Sequence, residues 1–207
     1  MNNNYKELAN SAAKWGLIVG VLMSASRIYE SSVMVSGDAS SYVLVSFEWI
    51  FSSALFVYLL LRANKQRANA TPSEVGYGVR QVVNYTLVIS IFASVIVAIS
   101  SHIYISNVVG GYGLYAERSI ESISRVLDEA QVGAEGEQIV EQSLLAAEDI
   151  KSNPPTIFTT IFSMVANYII GAFLTSLIIV WFVRRRPVMP SEERPTDMDN
   201  NKDDEDE

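Results

Sequence analysis

The sequence has no cysteine and a single histidine, His102, among its 207 residues. Without cysteine the chain cannot form a disulfide framework, a thiolate metal site or a cysteine nucleophile, and cysteine usage says nothing of the redox compartment. His102 lacks a second histidine or cysteine for a common metal site. The HExxH motif, the phosphate-binding glycine loop with a lysine and the GxSxG elbow are also missing. We therefore interpret His102 as a polar interface residue and predict no catalytic residue, no metal and no cofactor.

Positive charge is scarce as well, since 15 lysines and arginines face 23 aspartates and glutamates, for a net charge of -8. The acids form two clusters. One cluster lies in a long polar interval and consists of Glu117, Glu121, Asp128, Glu129, Glu135, Glu137, Glu141, Glu148 and Asp149. The other lies near the end of the chain and consists of Glu192, Glu193, Asp197, Asp199, Asp203, Asp204, Glu205, Asp206 and Glu207. Neither cluster resembles the basic footprint of a nucleic-acid-binding protein, so we predict no nucleic-acid partner.

Hydrophobic residues make up 49% of the chain and are concentrated in four runs, at about 12–35, 41–61, 82–105 and 157–183. A membrane span needs roughly 20 mostly apolar residues to cross a hydrocarbon core about 30 Å thick. The runs predict an all-α fold, a four-helix transmembrane bundle in the lipid bilayer, within one membrane domain over residues 1–186. Residues 187–207 are acidic and almost without apolar side chains, which predicts a disordered tail.

The first run also has features of a secretory signal. Lys6 and Lys14 precede a short apolar core, and Ser24-Ala25-Ser26 resembles a small-residue cleavage site. Apolar character resumes at Ile28, which favours a retained helix. We predict retention and keep cleavage as the alternative.

The positions of lysine and arginine predict the orientation. In a four-span topology the basic residues of the short segments all fall on one side, namely Lys6, Lys14, Arg62, Lys65, Arg67, Arg80, Arg184, Arg185 and Arg186. By the positive-inside rule that side is the cytoplasm, so both termini are predicted to be cytoplasmic. The connector over residues 62–80 is predicted to be a turn-rich loop because it contains Pro72, Gly76 and Gly78.

The polar interval from Asn107 to Thr156 is predicted to form an extracytoplasmic helical hairpin over about residues 114–151, hinged at Gly133 to Gly136. Apolar residues recur at helical spacing in both halves. The first stripe is Ala116, Ile120, Ile123, Leu127 and Ala130, and the second is Val140, Leu144, Ala147 and Ile150. The two stripes could pack on each other, on another protein or on the membrane surface. Self-packing is favoured, and the acidic polar faces disfavour the membrane surface.

Small and hydroxyl-bearing residues recur at four-residue spacing within three of the runs. They are Gly16, Gly20 and Ser24 in the first run, Ser90, Ser94 and Ala98 in the third, and Ser163, Asn167, Gly171 and Thr175 in the fourth. Such stripes let helices approach closely, and Asn167 could hydrogen-bond across an interface. We interpret them as packing faces within the bundle. A homo-oligomer or another membrane protein could use the same faces, or the hairpin.

Two ionisable residues, Arg27 and Glu48, fall inside the first and second runs. An ionisable group in hydrocarbon costs several kcal/mol unless it is paired, faces a cavity or reaches the interface. At a rise of about 1.5 Å per residue, the two lie at similar depths, roughly 12 and 10 Å below the same ends of their runs. We hypothesise that they form an intramembrane ion pair with a structural role, favoured over a proton or ion relay. Glu30 is a rival partner for Arg27 through its i,i+3 spacing.

Four short stretches carry a resemblance to a known family. They are Lys14 to Gly20, Gly76-Tyr77-Gly78 before the third run, Asn153-Pro154 before the fourth, and Gly171 to Ser176 ahead of the triple arginine. Together they resemble the domain-of-unknown-function family 4199, small four-span inner-membrane proteins mostly from Bacteroidota. The resemblance covers about Lys14 to Arg186 and implies this topology and a bacterial inner-membrane location, with no assigned residues. The acidic tail and Pro155 depart from the family pattern.

These observations favour a non-enzymatic structural or accessory component of a membrane complex. The alternative is a small transporter or channel in which Arg27, Glu48, His102 and Asn167 line a polar path between the helices. An intramembrane enzyme ranks third.

Overall fold

The computed structural model describes residues 3–129, 131 and 133–187, with side chains from residue 6 onwards and not at 134–137. Within these ranges the chain is helical, without a strand, which confirms the predicted all-α class. The helices are α1 (Asn3–Ser36), α2 (Ala39–Ala70), α3 (Val79–Ile103), α4 (Tyr112–Glu129), α5 (Ala134–Ser152) and α6 (Ile157–Val183). A π-helical segment, Tyr104–Val109, prolongs α3. The predicted disordered tail, apart from Pro187, lies outside the described residues.

Four stretches are long and apolar enough to cross a membrane: Lys6–Ser36, Ala39–Ala70, Val79–Val109 and Ile157–Val183. They contain the four predicted runs. The second stretch differs most from its prediction, because α2 continues through Arg62, Lys65 and Arg67, where a loop was expected. Arginine, lysine, glutamine and alanine favour helix, and α2 ends just before Pro72. The predicted loop is therefore confined to residues 71–78.

Helix α3 occupies the centre of the bundle, between α1 and α6. Its apolar and small residues are buried on several sides, whereas α2 and α6 expose large apolar side chains such as Phe47, Phe51, Phe162 and Trp181. A helix that must contact lipid exposes such residues without cost. The chain is thus a multi-pass membrane protein organised around α3.

We call the end of the bundle with the α1–α2 turn and the α4–α5 pair the hairpin end, and the opposite end the terminal end. Gly110 and Gly111, with φ of 98° and 113°, terminate the π-helical segment and turn the chain into α4. Helices α4 and α5 pack on each other, and α4 also contacts α1. Ser122 of α4 is fully buried and donates to the Gly37 carbonyl at 2.9 Å, which fixes α4 to the α1–α2 turn.

Candidate functional site

The terminal end is closed by a buried polar cluster around Asn64 of α2. The Asn64 side-chain amide donates to the Thr86 hydroxyl and to the Leu60 carbonyl, both at 2.9 Å, and its oxygen accepts from the Tyr77 hydroxyl at 3.0 Å. Asn64 and Thr86 are fully buried. A buried amide whose donors and acceptor are bonded in this way stabilises and orients the helices around it.

The loop before α3 is joined to the end of α6 through Tyr77. Its backbone N–H donates to the Arg185 carbonyl at 2.9 Å, and the Arg185 N–H donates back at 3.0 Å. Gly76 has φ of 68°, and a side chain there would meet the Pro187 nitrogen at 2.7 Å, so glycine is required. Burial raises the pKa of Tyr77 well above its usual value, which keeps its hydroxyl a neutral donor to Asn64.

The middle of the bundle contains the ionisable residues singled out from the sequence. The guanidinium of Arg27 pairs with Glu30 one turn along α1, while Glu48 of α2 accepts a hydrogen bond from Ser26. The predicted Arg27–Glu48 pair is therefore corrected: the rival partner Glu30 holds Arg27. The i,i+3 spacing brings the two groups together on one helix, without any requirement on how α1 meets α2.

Several polar atoms in this middle region lack partners. Within the described residues, Glu48 Oε2 and the hydroxyls of Ser90 and Ser101 are buried without a hydrogen bond. Within the described residues Arg27 makes one side-chain hydrogen bond, to Glu30, and its side chain is 42% exposed. The middle of the bundle thus retains unused hydrogen-bonding capacity, unlike the Asn64 cluster.

Three adjoining cavities form what we call the cleft. The upper one lies between α1, α3, α6 and the α4–α5 pair, and the other two lie between α1, α2 and α6. The upper cavity, about 300 Å³, lies under the hairpin and is floored by Arg27 and Met164. The middle cavity, about 370 Å³, shares those two residues. The lower cavity, also about 370 Å³, shares Asn167 and Tyr168 with the middle one. The cleft is open on its side between α2 and α6, where Ser53 and Asn167 are exposed, and Leu60 and Asn64 below it are fully buried.

The small-residue stripes occupy different environments. Gly16 and Gly20 lie against α3, where a side chain at Gly20 would meet Ile96 at 2.9 Å. Ser90, Ser94 and Ala98 are fully buried in α3, and Ser24 is buried too. On α6, Ser163 and Asn167 are exposed towards the cleft, Gly171 has open space beside it and Thr175 is buried. Of the predicted polar path, Arg27 and Asn167 line one cavity.

His102 lies at the hairpin end, where its Nδ1 is 3.0 Å from the Tyr112 hydroxyl. That hydroxyl is 3.2 Å from the Thr160 hydroxyl, so the histidine belongs to a polar contact that joins α3, α4 and α6. Over the described part of the chain, histidine, aspartate and glutamate form no group of three that could hold a metal ion.

The sequence model of a family described as protein of unknown function (DUF4199) matches residues 14–185. The chain belongs to this family. No curated protein and no solved structure matches the chain. The DUF4199 match contains the Asn64 cluster, the cleft and both helices of the hairpin.

Two motifs of the DUF4199 resemblance have a clear structural basis in this chain. Gly16 and Gly20, in the stretch from Lys14, allow α1 to approach α3 closely. Gly76-Tyr77-Gly78 forms the link to α6 and supplies the Tyr77 hydroxyl to Asn64. Asn64 itself was missed by the sequence analysis because it lies within the basic connector. Its position four residues after Leu60 in a helix-forming stretch was the available signal.

Proposed function

We propose that the chain is a non-enzymatic accessory component of a bacterial inner-membrane complex, a multi-pass protein with both termini in the cytoplasm. The basic residues support this orientation, since Arg62, Lys65, Arg67 and Arg80 lie at the terminal end with the triple arginine. The α4–α5 pair would then be extracytoplasmic.

An exposed apolar patch on α5 carries this proposal. Leu144 and Leu145 are 52% and 67% exposed, and they lie outside the four stretches that could span a membrane. Ile139 is 48% exposed but lies on a different face of α5, at least about 120° around the helix from both leucines. Of the second predicted stripe, Ala147 is buried but Leu144 is not, so packing on α4 does not use the whole face of α5. Adjoining apolar residues that remain exposed outside the bilayer are typical of a protein interaction surface.

Charge favours a protein partner over the lipid surface. Glu141 and Glu148 are exposed beside the patch, and an acidic rim is repelled by anionic lipid but complements basic residues on a partner. We therefore expect the occupant to be another membrane-complex subunit with a basic, partly apolar face.

The test is site-specific photo-crosslinking in native membranes. A photoreactive residue at Leu145 should give a discrete adduct with one protein, and the added substitution Leu144→Ser on the same face should abolish it. A photoreactive residue at Tyr58, on the apolar surface of α2, is the control position. If the Leu145 position gives no adduct, or if the purified protein is alone and monomeric, the accessory function is wrong.

The cleft supports a second candidate function, a small transporter or channel. Arg27 and Asn167 line one cavity of the cleft, as the predicted polar path requires. Ser90 and Ser94 of α3 are fully buried and do not line the cleft. In the cysteine-free background, Asn167→Cys should react with a membrane-impermeant thiol reagent added on the hairpin side. Ser90→Cys, which is fully buried in α3, should stay protected. Protection of both would overturn the transport function.

A further inference from the structure

The middle cavity of the cleft combines groups that recognise both signs of charge. We propose that it binds a small zwitterion of amino-acid size, with its carboxylate on Arg27 and its ammonium group on Glu30 and the neighbouring aromatic rings. This inference deepens the transport candidate by naming a ligand class for the same cavity, and it does not depend on the accessory function.

Arg27 provides the carboxylate subsite. A guanidinium has five N–H donors, and Arg27 uses one nitrogen on Glu30 within the described residues. Its side chain is 42% exposed and lines both the upper and the middle cavity. Guanidinium groups hold carboxylates with two parallel hydrogen bonds, so its free edge is suited to a ligand carboxylate.

Glu30 and two aromatic residues provide the ammonium subsite. Glu30 is buried, lines the middle cavity and keeps one carboxylate oxygen outside its bond to Arg27. Trp49 and Tyr168 line the same cavity, and aromatic faces attract ammonium groups more strongly when water is excluded.

The charge balance disfavours a purely anionic ligand. The charges of Arg27 and Glu30 cancel, and Glu48, which accepts a hydrogen bond from Ser26, is a further acidic group nearby. A purely anionic ligand would bring a third negative group into a low-dielectric region, at a large desolvation cost. A zwitterion adds no net charge and can satisfy both members of the Arg27–Glu30 pair at once.

The remaining lining fits the rest of such a molecule. Met23, Val97 and Met164 offer apolar surface for an aliphatic side chain. In the upper cavity, Ser101 is 4% exposed and its hydroxyl has no partner in the described part of the chain, which leaves a donor for a polar ligand during entry. The upper cavity meets the middle one at Arg27 and Met164, so the proposal places ligand entry at the hairpin end.

Equilibrium binding to the purified full-length protein in lipid nanodiscs tests the proposal. The probes are L-leucine, 4-methylpentanoate, which lacks the ammonium group, and 3-methylbutylamine, which lacks the carboxylate. We expect L-leucine to bind with a Kd below about 1 mM and each single-charge analogue to bind at least about tenfold more weakly. Equal binding of the three compounds, or no binding of L-leucine, overturns the zwitterion site.

Two substitutions assign the subsites. Glu30→Gln should remove the preference for L-leucine over 4-methylpentanoate, and Arg27→Gln should remove the preference for L-leucine over 3-methylbutylamine. Arg80→Gln makes the same chemical change at an exposed position outside the cleft and should leave all three affinities unchanged. Variants that bind as the wild type does would contradict the assignment, and the analogue series decides the proposal even if a variant fails to fold.

Failure of this site and failure of the transport function are distinguishable. L-Leucine binding without uptake into proteoliposomes would retain the site and exclude transport. Labelling of Asn167→Cys without L-leucine binding would retain a water-accessible cleft and exclude the zwitterion.

Discussion

The Asn64 cluster and the Arg27 region are both polar groups inside an apolar bundle, but they are completed in different ways. Around Asn64, the amide is bonded to three groups on α2, on α3 and in the loop between them, and the cluster is closed to solvent. Around Arg27, the guanidinium has one partner, Glu48 Oε2 has none in the described residues, and cavities lie on two sides.

The difference separates a structural role from a binding role. Polar groups whose hydrogen bonds are all made within the protein stabilise one arrangement of the helices. They have no free donor or acceptor with which to bind a ligand. Polar groups with unused donors beside a cavity can be satisfied only by something that enters it. Substitutions at the two regions should therefore have opposite consequences for stability and for binding.

The largest expected effect distinguishes the two asparagines. Asn64→Leu removes the amide and leaves the Thr86 and Tyr77 hydroxyls buried without their partner, which should cost about 3 kcal/mol of unfolding free energy. Asn167→Leu should change stability little, because Asn167 is exposed in the cleft and makes no side-chain hydrogen bond among the residues described. Unfolding in mixed micelles, followed by tryptophan fluorescence, measures both. Similar losses for the two variants would remove the distinction.

The next effect compares a glycine that is packed against α3 with a glycine that lies beside the cleft. Gly20→Ala would place a methyl group 2.9 Å from the Ile96 side chain, so it should destabilise the protein by about 1–3 kcal/mol through overpacking. Gly171→Ala adds the same methyl group beside the cleft, where no atom lies within 4 Å, and should be neutral or slightly stabilising. Thermal unfolding of both variants in the same detergent tests this. A destabilised Gly171→Ala protein would show that the cleft is more tightly packed than described.

The smallest effect concerns Asp38, a charge at the rim of the bundle. Its carboxylate accepts from the Ser41 N–H and the Ser40 hydroxyl, both at 2.9 Å, and the hydrogen bonds to Ser41 and Ser40 lower its pKa to about 2. Because the folded-state pKa is depressed, the stabilisation is complete above the ordinary value of 3.8 and is lost as the pH falls towards 2.

Wild-type protein should therefore lose slightly more stability than Asp38→Ala between pH 5 and about pH 2. Equilibrium unfolding at both pH values gives the comparison, and Glu74→Ala, in the loop before α3, is the control. Parallel losses in wild type and Asp38→Ala would show that the cap at α2 does not depend on this charge.

The apolar runs predicted the four long helices because length and hydropathy are local properties of the sequence. The bounds of α6 equal the predicted run, 157–183. The extension of α2 to Ala70 was not predicted, since the turn signals Pro72, Gly76 and Gly78 were applied to the whole connector, including Arg62, Lys65 and Arg67. Their intrinsic helix preference decides the local structure once the preceding span is helical.

The site was less predictable because it depends on how helices are placed around each other. Sequence spacing gave Arg27 two partners, Glu48 as the hypothesis and Glu30 as the rival, and the structure pairs it with Glu30. The middle and lower cavities of the cleft lie where α1, α2 and α6 leave space near Ser52 and Ser53. No periodicity encodes such a gap, although the exposed position of Asn167 is consistent with it.

The link between Tyr77 and Arg185 has a consequence for biogenesis. Residues that close the terminal end come from the second, third and fourth membrane segments, and Arg185 follows the last of them. During synthesis the backbone link between Tyr77 and Arg185 therefore cannot form until α6 has been made. A chain that stops before Arg185 can still make the side-chain hydrogen bonds of Asn64 but leaves the Tyr77 N–H and carbonyl without their partners, so the loop before α3 is fixed to the bundle only when the final span is complete.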